Sequence, residues 1–88
     1  MPLPDKLNIE ITYCVPCSYH GIAAWLVSEF FAEGGNRVAV ALNPGEAGVL
    51  TIKVDGDKVY DKKAEDGKFP DVTRVKELRA DIRQRLAS

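Results

Sequence analysis

A chain of 88 residues, 45% hydrophobic and 28% charged, is expected to form one small globular domain. A domain of that size buries only about 60% of the surface its unfolded chain exposes, so its core has to be economical. With 12 basic and 13 acidic side chains and a net charge of −1, it has no field to draw in nucleic acid or an anionic membrane, and neither is expected as a partner.

Residues 1–6, with two prolines and the pair Asp5-Lys6, read as a flexible N-terminal segment ahead of a single domain over residues 7–88. No basic stretch followed by an apolar run marks a signal peptide. The longest apolar stretch, residues 22–31, is broken by Ser28 and Glu29 and is too short to span a bilayer. The expected location is cytoplasmic.

Residues 7–13 alternate Leu7, Ile9, Ile11 and Tyr13 with Asn8, Glu10 and Thr12, the pattern of a strand with one buried face. Cys14-Val15-Pro16-Cys17 interrupts it. Residues 18–33 then read as a helix stopped by Gly34-Gly35. Its apolar arc holds Ala23, Leu26, Val27, Phe30 and Phe31; Trp25 lies off the arc, either folded over the helix rim or exposed as a contact. Residues 37–42 form a second strand, and Asn43-Pro44-Gly45 is expected to turn.

Residues 49–54 form a third strand and residues 58–62 a fourth, joined by Asp55-Gly56, a two-residue hairpin turn whose central positions both need positive φ. Lys58, Lys62 and Lys63 are interleaved with acidic residues and read as a solvated hairpin edge. After a loop, Asp71 is placed to cap a last helix with Val72, Val75, Leu78, Ile82 and Leu86 at helical spacing. The first β-α-β unit should be parallel and right-handed. Asn8, Glu10 and Thr12 imply that one sheet face stays open, because a strand covered on both sides would be apolar on both. The expected fold is therefore an α/β two-layer sandwich of order β-α-β-β-β-α. A four-stranded mixed sheet carries two helices on one face, as in a thioredoxin-like fold stripped of the helix on the other. The open face and Trp25 are the surfaces left for self-association into a homo-oligomer or for a partner.

The chemistry is expected at Cys14 and Cys17, the chain's two cysteines. Their spacing lets the sulfurs meet across one turn, and a helix N-terminus stabilises a thiolate. Pro16 suits a first helical turn, where no hydrogen bond is lost. Three readings stand: a reversible redox pair, half of a zinc site, or inert buried thiols. A static disulfide is disfavoured in a reducing compartment. Zinc usually takes four ligands and only His20 lies nearby, while a c-type haem would need histidine where Ser18 stands. The redox reading is favoured, with no metal or cofactor assigned. A protein thiol or disulfide, or a glutathione-type reductant, is the expected partner. The alternative is a non-enzymatic interaction module stabilised by zinc through the same cysteines.

Tyr13-Cys14-Val15-Pro16-Cys17, Val49-Leu50-Thr51-Ile52-Lys53-Val54-Asp55-Gly56 and Gly67-Lys68-Phe69-Pro70, in that order, resemble the Rdx family, the selenoprotein W-related group with its cysteine-only relatives. The resemblance runs from about Leu7 to Leu86. It implies a thioredoxin-like redox domain of undefined substrate. In selenocysteine members selenium takes the second motif position, which implies Cys17 as nucleophile. Analogy with thioredoxin implies Cys14, expected here to lie nearer the helix cap and to be the more exposed. The two roles stay open at this point. Thioredoxins also place a cis-proline just before the third core strand, where this chain has Gly48.

Overall fold

In the computed structural model, which describes residues 5–88, strand β1 (Leu7–Cys14) lies inside a four-stranded sheet. The expected flexible segment, residues 1–6, falls largely outside the described residues. β1 pairs in parallel with β2 (Val38–Gly45) and antiparallel with β3 (Leu50–Val54). β4 (Asp57–Asp61) pairs antiparallel with β3 and completes the order β2-β1-β3-β4. Helix α1 (His20–Gly34) and a short 3-10 turn, Gly35–Arg37, make the crossover from β1 to β2, and α2 (Val72–Ala87) follows the sheet.

Alternation along the strands decides the two faces. Ile9 and Ile11 stand opposite Val54 and Ile52 across the β1–β3 pairing. With Ala23, Leu26 and Phe30 of α1 and Val75, Leu78 and Ile82 of α2 they form one buried core. Each such large side chain contributes about 1.5–3 kcal/mol on burial, so these positions dominate stability. On the opposite face Glu10 lies between Ala41 and Lys53, and all three are exposed. Both helices share the core face, which gives the thioredoxin-like two-layer α/β arrangement that the polar positions of β1 imply. Arg79 of α2 joins the helices, reaching Glu29 and Glu33 of α1 at 3.1 Å each. No helix of the described residues is long and apolar enough to cross a membrane.

Asp55 and Gly56 have φ of 49° and 88°, the hairpin turn their residue types favour. Asn43-Pro44-Gly45 does not turn. It continues β2 alongside Thr12, Tyr13 and Cys14. β2 is an edge strand with one unpartnered side, where proline's missing N–H does no harm, so pairing overrides the local turn preference. On the helices, Phe31 leaves the apolar arc for solvent, whereas Trp25 is half-buried against the core, the rim position. Val72, in the first turn of α2, is 63% exposed and adds little to the core.

Candidate redox site

Cys14 and Cys17 are joined by a disulfide, with their Cα atoms 5.4 Å apart. Their environments differ. Cys14 is the last residue of β1: its N–H donates to the Val49 carbonyl at 2.9 Å, and it stands opposite Gly45 of β2. Held between two strands, it is 0% exposed. Cys17 lies beyond the sheet and is exposed. The expectation that Cys14 is the more exposed sulfur, nearer the helix cap, is thus reversed. Opposite Cys14, Gly45 lets β2 lie close to Thr12 and Val49, since a Cβ there would come within 2.5 Å of Thr12 Cγ2 and 2.7 Å of Val49 Cγ1.

The helix also starts later than the sequence suggests. Residues 15–19 form turns in which Ser18 N–H donates to the Val15 carbonyl at 3.0 Å and Tyr19 N–H to the Cys14 carbonyl at 3.2 Å. Ser18 takes a left-handed φ of 62°, which breaks helical continuity and places Pro16 in the turn. α1 begins at His20, with no side-chain cap on its free N–H groups and no acidic residue in its first turn. Its positive end therefore has no built-in counter-charge, and Cys17 is the nearer cysteine in sequence. The Cys17 N–H donates to Cys14 Sγ at 3.3 Å. His20 is exposed at the start of α1, and among the described residues no three or more His, Cys, Asp and Glu side chains gather to hold a metal ion.

The sequence marks Tyr19, next to the cysteine turn, as lining or shielding the site, but leaves out two of its neighbours, Lys62 and Phe69. Tyr19 packs edge-to-face on Phe69, ring centroids 4.9 Å apart, and Lys62 Nζ lies 5.6 Å and 5.1 Å from the two centroids. No periodicity links positions so far apart in the chain, and only the motif Gly67-Lys68-Phe69-Pro70 drew attention to that loop. The loop is fixed from below by α2. Arg74 binds Glu65 at 2.9 Å and the Val59 carbonyl at 3.1 Å, and the Tyr60 hydroxyl donates to the Lys68 carbonyl. The Glu65 hydrogen bond holds the Arg74 guanidinium above its ordinary pKa.

Residues 8–81 match the Rdx family. A Bordetella parapertussis protein of known crystal structure is 34% identical, with a TM-score of 0.75 over 85% of this chain and 94% of that one. A selenoprotein W-related protein from Vibrio cholerae, also known from a crystal structure, is 33% identical with a TM-score of 0.71, covering 84% of this chain and 98% of its own. A comparison with curated proteins gave no match. The family match contains the whole sheet, α1 and both cysteines save a single residue of β1, and the two similar structures share the fold: the chain belongs to the Rdx family.

Proposed function

We propose that this protein is a thiol–disulfide oxidoreductase that works through reversible closure of the Cys14–Cys17 bond, in a reducing compartment such as the cytoplasm. The observation that carries the reading is the asymmetry of the pair, one cysteine exposed and one fully buried in the same disulfide. Membership of the Rdx family supports it.

In the oxidised protein a partner thiolate attacks Cys17 Sγ, because Cys17 is the exposed cysteine and Cys14 is buried. A bond forms between the two, and Cys14 Sγ leaves with the electron pair, next to the Cys17 N–H that already points at it. A second thiolate of the partner attacks its own sulfur in the mixed disulfide and releases Cys17. The partner dithiol becomes a disulfide, and both thiol protons end on Cys14 and Cys17. In reverse, Cys17 thiolate attacks a partner disulfide, and Cys14 then attacks Cys17 Sγ, closing the pair and freeing the partner as a dithiol.

The test is equilibration in glutathione buffers of stepped potential, read by intact mass. The expected result is a reversible loss of both thiol hydrogens with no change in oligomeric state. Cys14→Ser protein should accumulate a mixed disulfide on Cys17, and Cys17→Ser protein should not. Intermolecular disulfides alone, or zinc held by the reduced pair, would overturn the reading.

A further inference from the structure

Tyr19, Lys62 and Phe69 form a cluster at the redox end of the sheet that the exchange step itself does not use. The Cys14 N–H donates to the Val49 carbonyl and the Lys62 N–H to the Leu50 carbonyl, so the two backbones flank the start of β3. That separation is two strand spacings, about 10 Å. Tyr19 follows the cysteine turn directly, and its ring bridges from that turn to Phe69 and Lys62.

The charge of Lys62 is not answered by any carboxylate among the described residues. Glu65 is taken by Arg74 at 2.9 Å and Asp61 by Lys58 at 3.3 Å. No acidic residue lies between Tyr13 and His20. Lys62 therefore differs from the solvated edge its sequence neighbourhood suggests: it is half-buried against two rings, with its ammonium left without a counter-charge. Exposed apolar side chains adjoin both parts of the site, Val15 at 49% inside the cysteine turn and Phe69 at 44% in the cluster. An unanswered cation and two exposed apolar groups in and beside the cysteine turn call for a carboxylate and an apolar side chain together.

We propose that Lys62, Tyr19, Phe69 and Val15 are the recognition surface for the redox partner. The partner is a protein whose reactive cysteine sits in an extended segment between an acidic and an apolar residue. This rests on the redox reading above and names the substrate class of that site. A glutathione-type molecule offers carboxylates to Lys62 but no apolar side chain to Val15 and Phe69.

The experiment uses short single-cysteine peptides carrying Glu and Leu, Lys and Leu, or Glu and Gly beside the cysteine. As mixed disulfides they are reacted with the reduced protein, next to glutathione disulfide and the neutral hydroxyethyl disulfide. The Glu-Leu peptide is expected to react about five- to tenfold faster than the Lys-Leu peptide at low salt, the gap closing as salt is added. It should also outpace the Glu-Gly peptide and glutathione disulfide. Lys62→Glu should reverse the order of the charged peptides, Phe69→Ala should erase the advantage of leucine, and Lys76→Glu, an equal charge change on α2, should preserve the order. Equal rates for the peptides, an order that survives Lys62→Glu, or glutathione disulfide reacting as fast as Glu-Leu would overturn the proposal. The redox reading survives each of these results if hydroxyethyl disulfide oxidises the pair. If no disulfide reacts, that reading fails. Binding of the labelled peptides to the Cys14→Ser, Cys17→Ser double variant then decides the surface alone: preference for Glu-Leu sustains it and equal binding overturns it.

Discussion

The backbone N–H of Cys17 donates to Cys14 Sγ at 3.3 Å, so the exposed cysteine supplies a donor to the sulfur of the buried one. Cys14 is fully buried, and this N–H is a polar partner its sulfur keeps there. On the proposed redox reading, the same turn gives the two sulfurs separate roles: attack from outside falls to Cys17, and leaving or closing the pair to Cys14.

That separation predicts an order of reaction. In the reduced protein, iodoacetamide should modify Cys17 first, and Cys14 only on the slower timescale of opening of the sheet end. Peptide mapping by mass spectrometry after brief labelling reads this directly. Urea should abolish the difference, since it comes from burial between β2 and β3. Faster labelling of Cys14 would contradict the assignment.

Reduction should also cost stability, though modestly. The Cys14–Cys17 bond closes a loop of only a few residues, for which the chain-entropy relation gives about 2 kcal/mol. Urea denaturation with and without reductant measures the difference, and the Cys17→Ser variant, which leaves the buried Cys14 in place, should match the reduced protein. Equal stability of the oxidised and reduced forms would show that the turn is held by its backbone hydrogen bonds alone.

The pattern of β1 was enough to predict the open sheet face, because a period of two leaves Glu10 no other place to go. Asp55-Gly56 and Asp71 were legible for a similar reason: each encodes a local backbone need that its neighbours do not contest. Pro44 was not, since its turn preference yields to pairing with β1, and pairing is a property of the assembled sheet. The cysteines were found as a pair but their exposures were inverted. The sequence places both between a strand and a helix, yet only the strand register shows that Cys14 still belongs to the sheet. Tyr19, Lys62 and Phe69 carry no common sequence signal and meet only when the loop after β4 folds back on the turn.

The cap of α2 gives a prediction independent of the redox pair. The Asp71 carboxylate accepts the Arg74 N–H at 2.8 Å, satisfying a donor the first helical turn would leave unpaired. Asp71→Ala should cost about 1 kcal/mol, and Asp71→Ser or Asp71→Asn should recover most of it. Thermal denaturation of the three variants checks this. An unaffected Asp71→Ala would mean that water replaces the carboxylate without loss.

Tyr60 ties stability to alkaline pH. It is 2% exposed, lies under the Arg74 guanidinium at 5.5 Å, and donates its hydroxyl hydrogen to the Lys68 carbonyl. Burial, then the Glu65 carboxylate, pushes its hydroxyl above the ordinary tyrosine value. The fold therefore favours the neutral phenol. That contribution is fully present below a pH of about 10, where an unfolded tyrosine begins to ionise, and is lost as pH rises through the folded value. Tyr60→Phe removes the donor and should cost about 1 kcal/mol at neutral pH. Phenylalanine has no proton to lose, so the stability gap between the two proteins should narrow above pH ~10. Urea denaturation of both proteins across that range measures the gap, and the other two tyrosines cancel because both proteins keep them. A gap independent of pH would show that the Tyr60 hydroxyl does not hold the loop carrying Phe69. Narrowing in step with the tyrosinate absorbance assigned to Tyr60 would locate the loss at that hydroxyl.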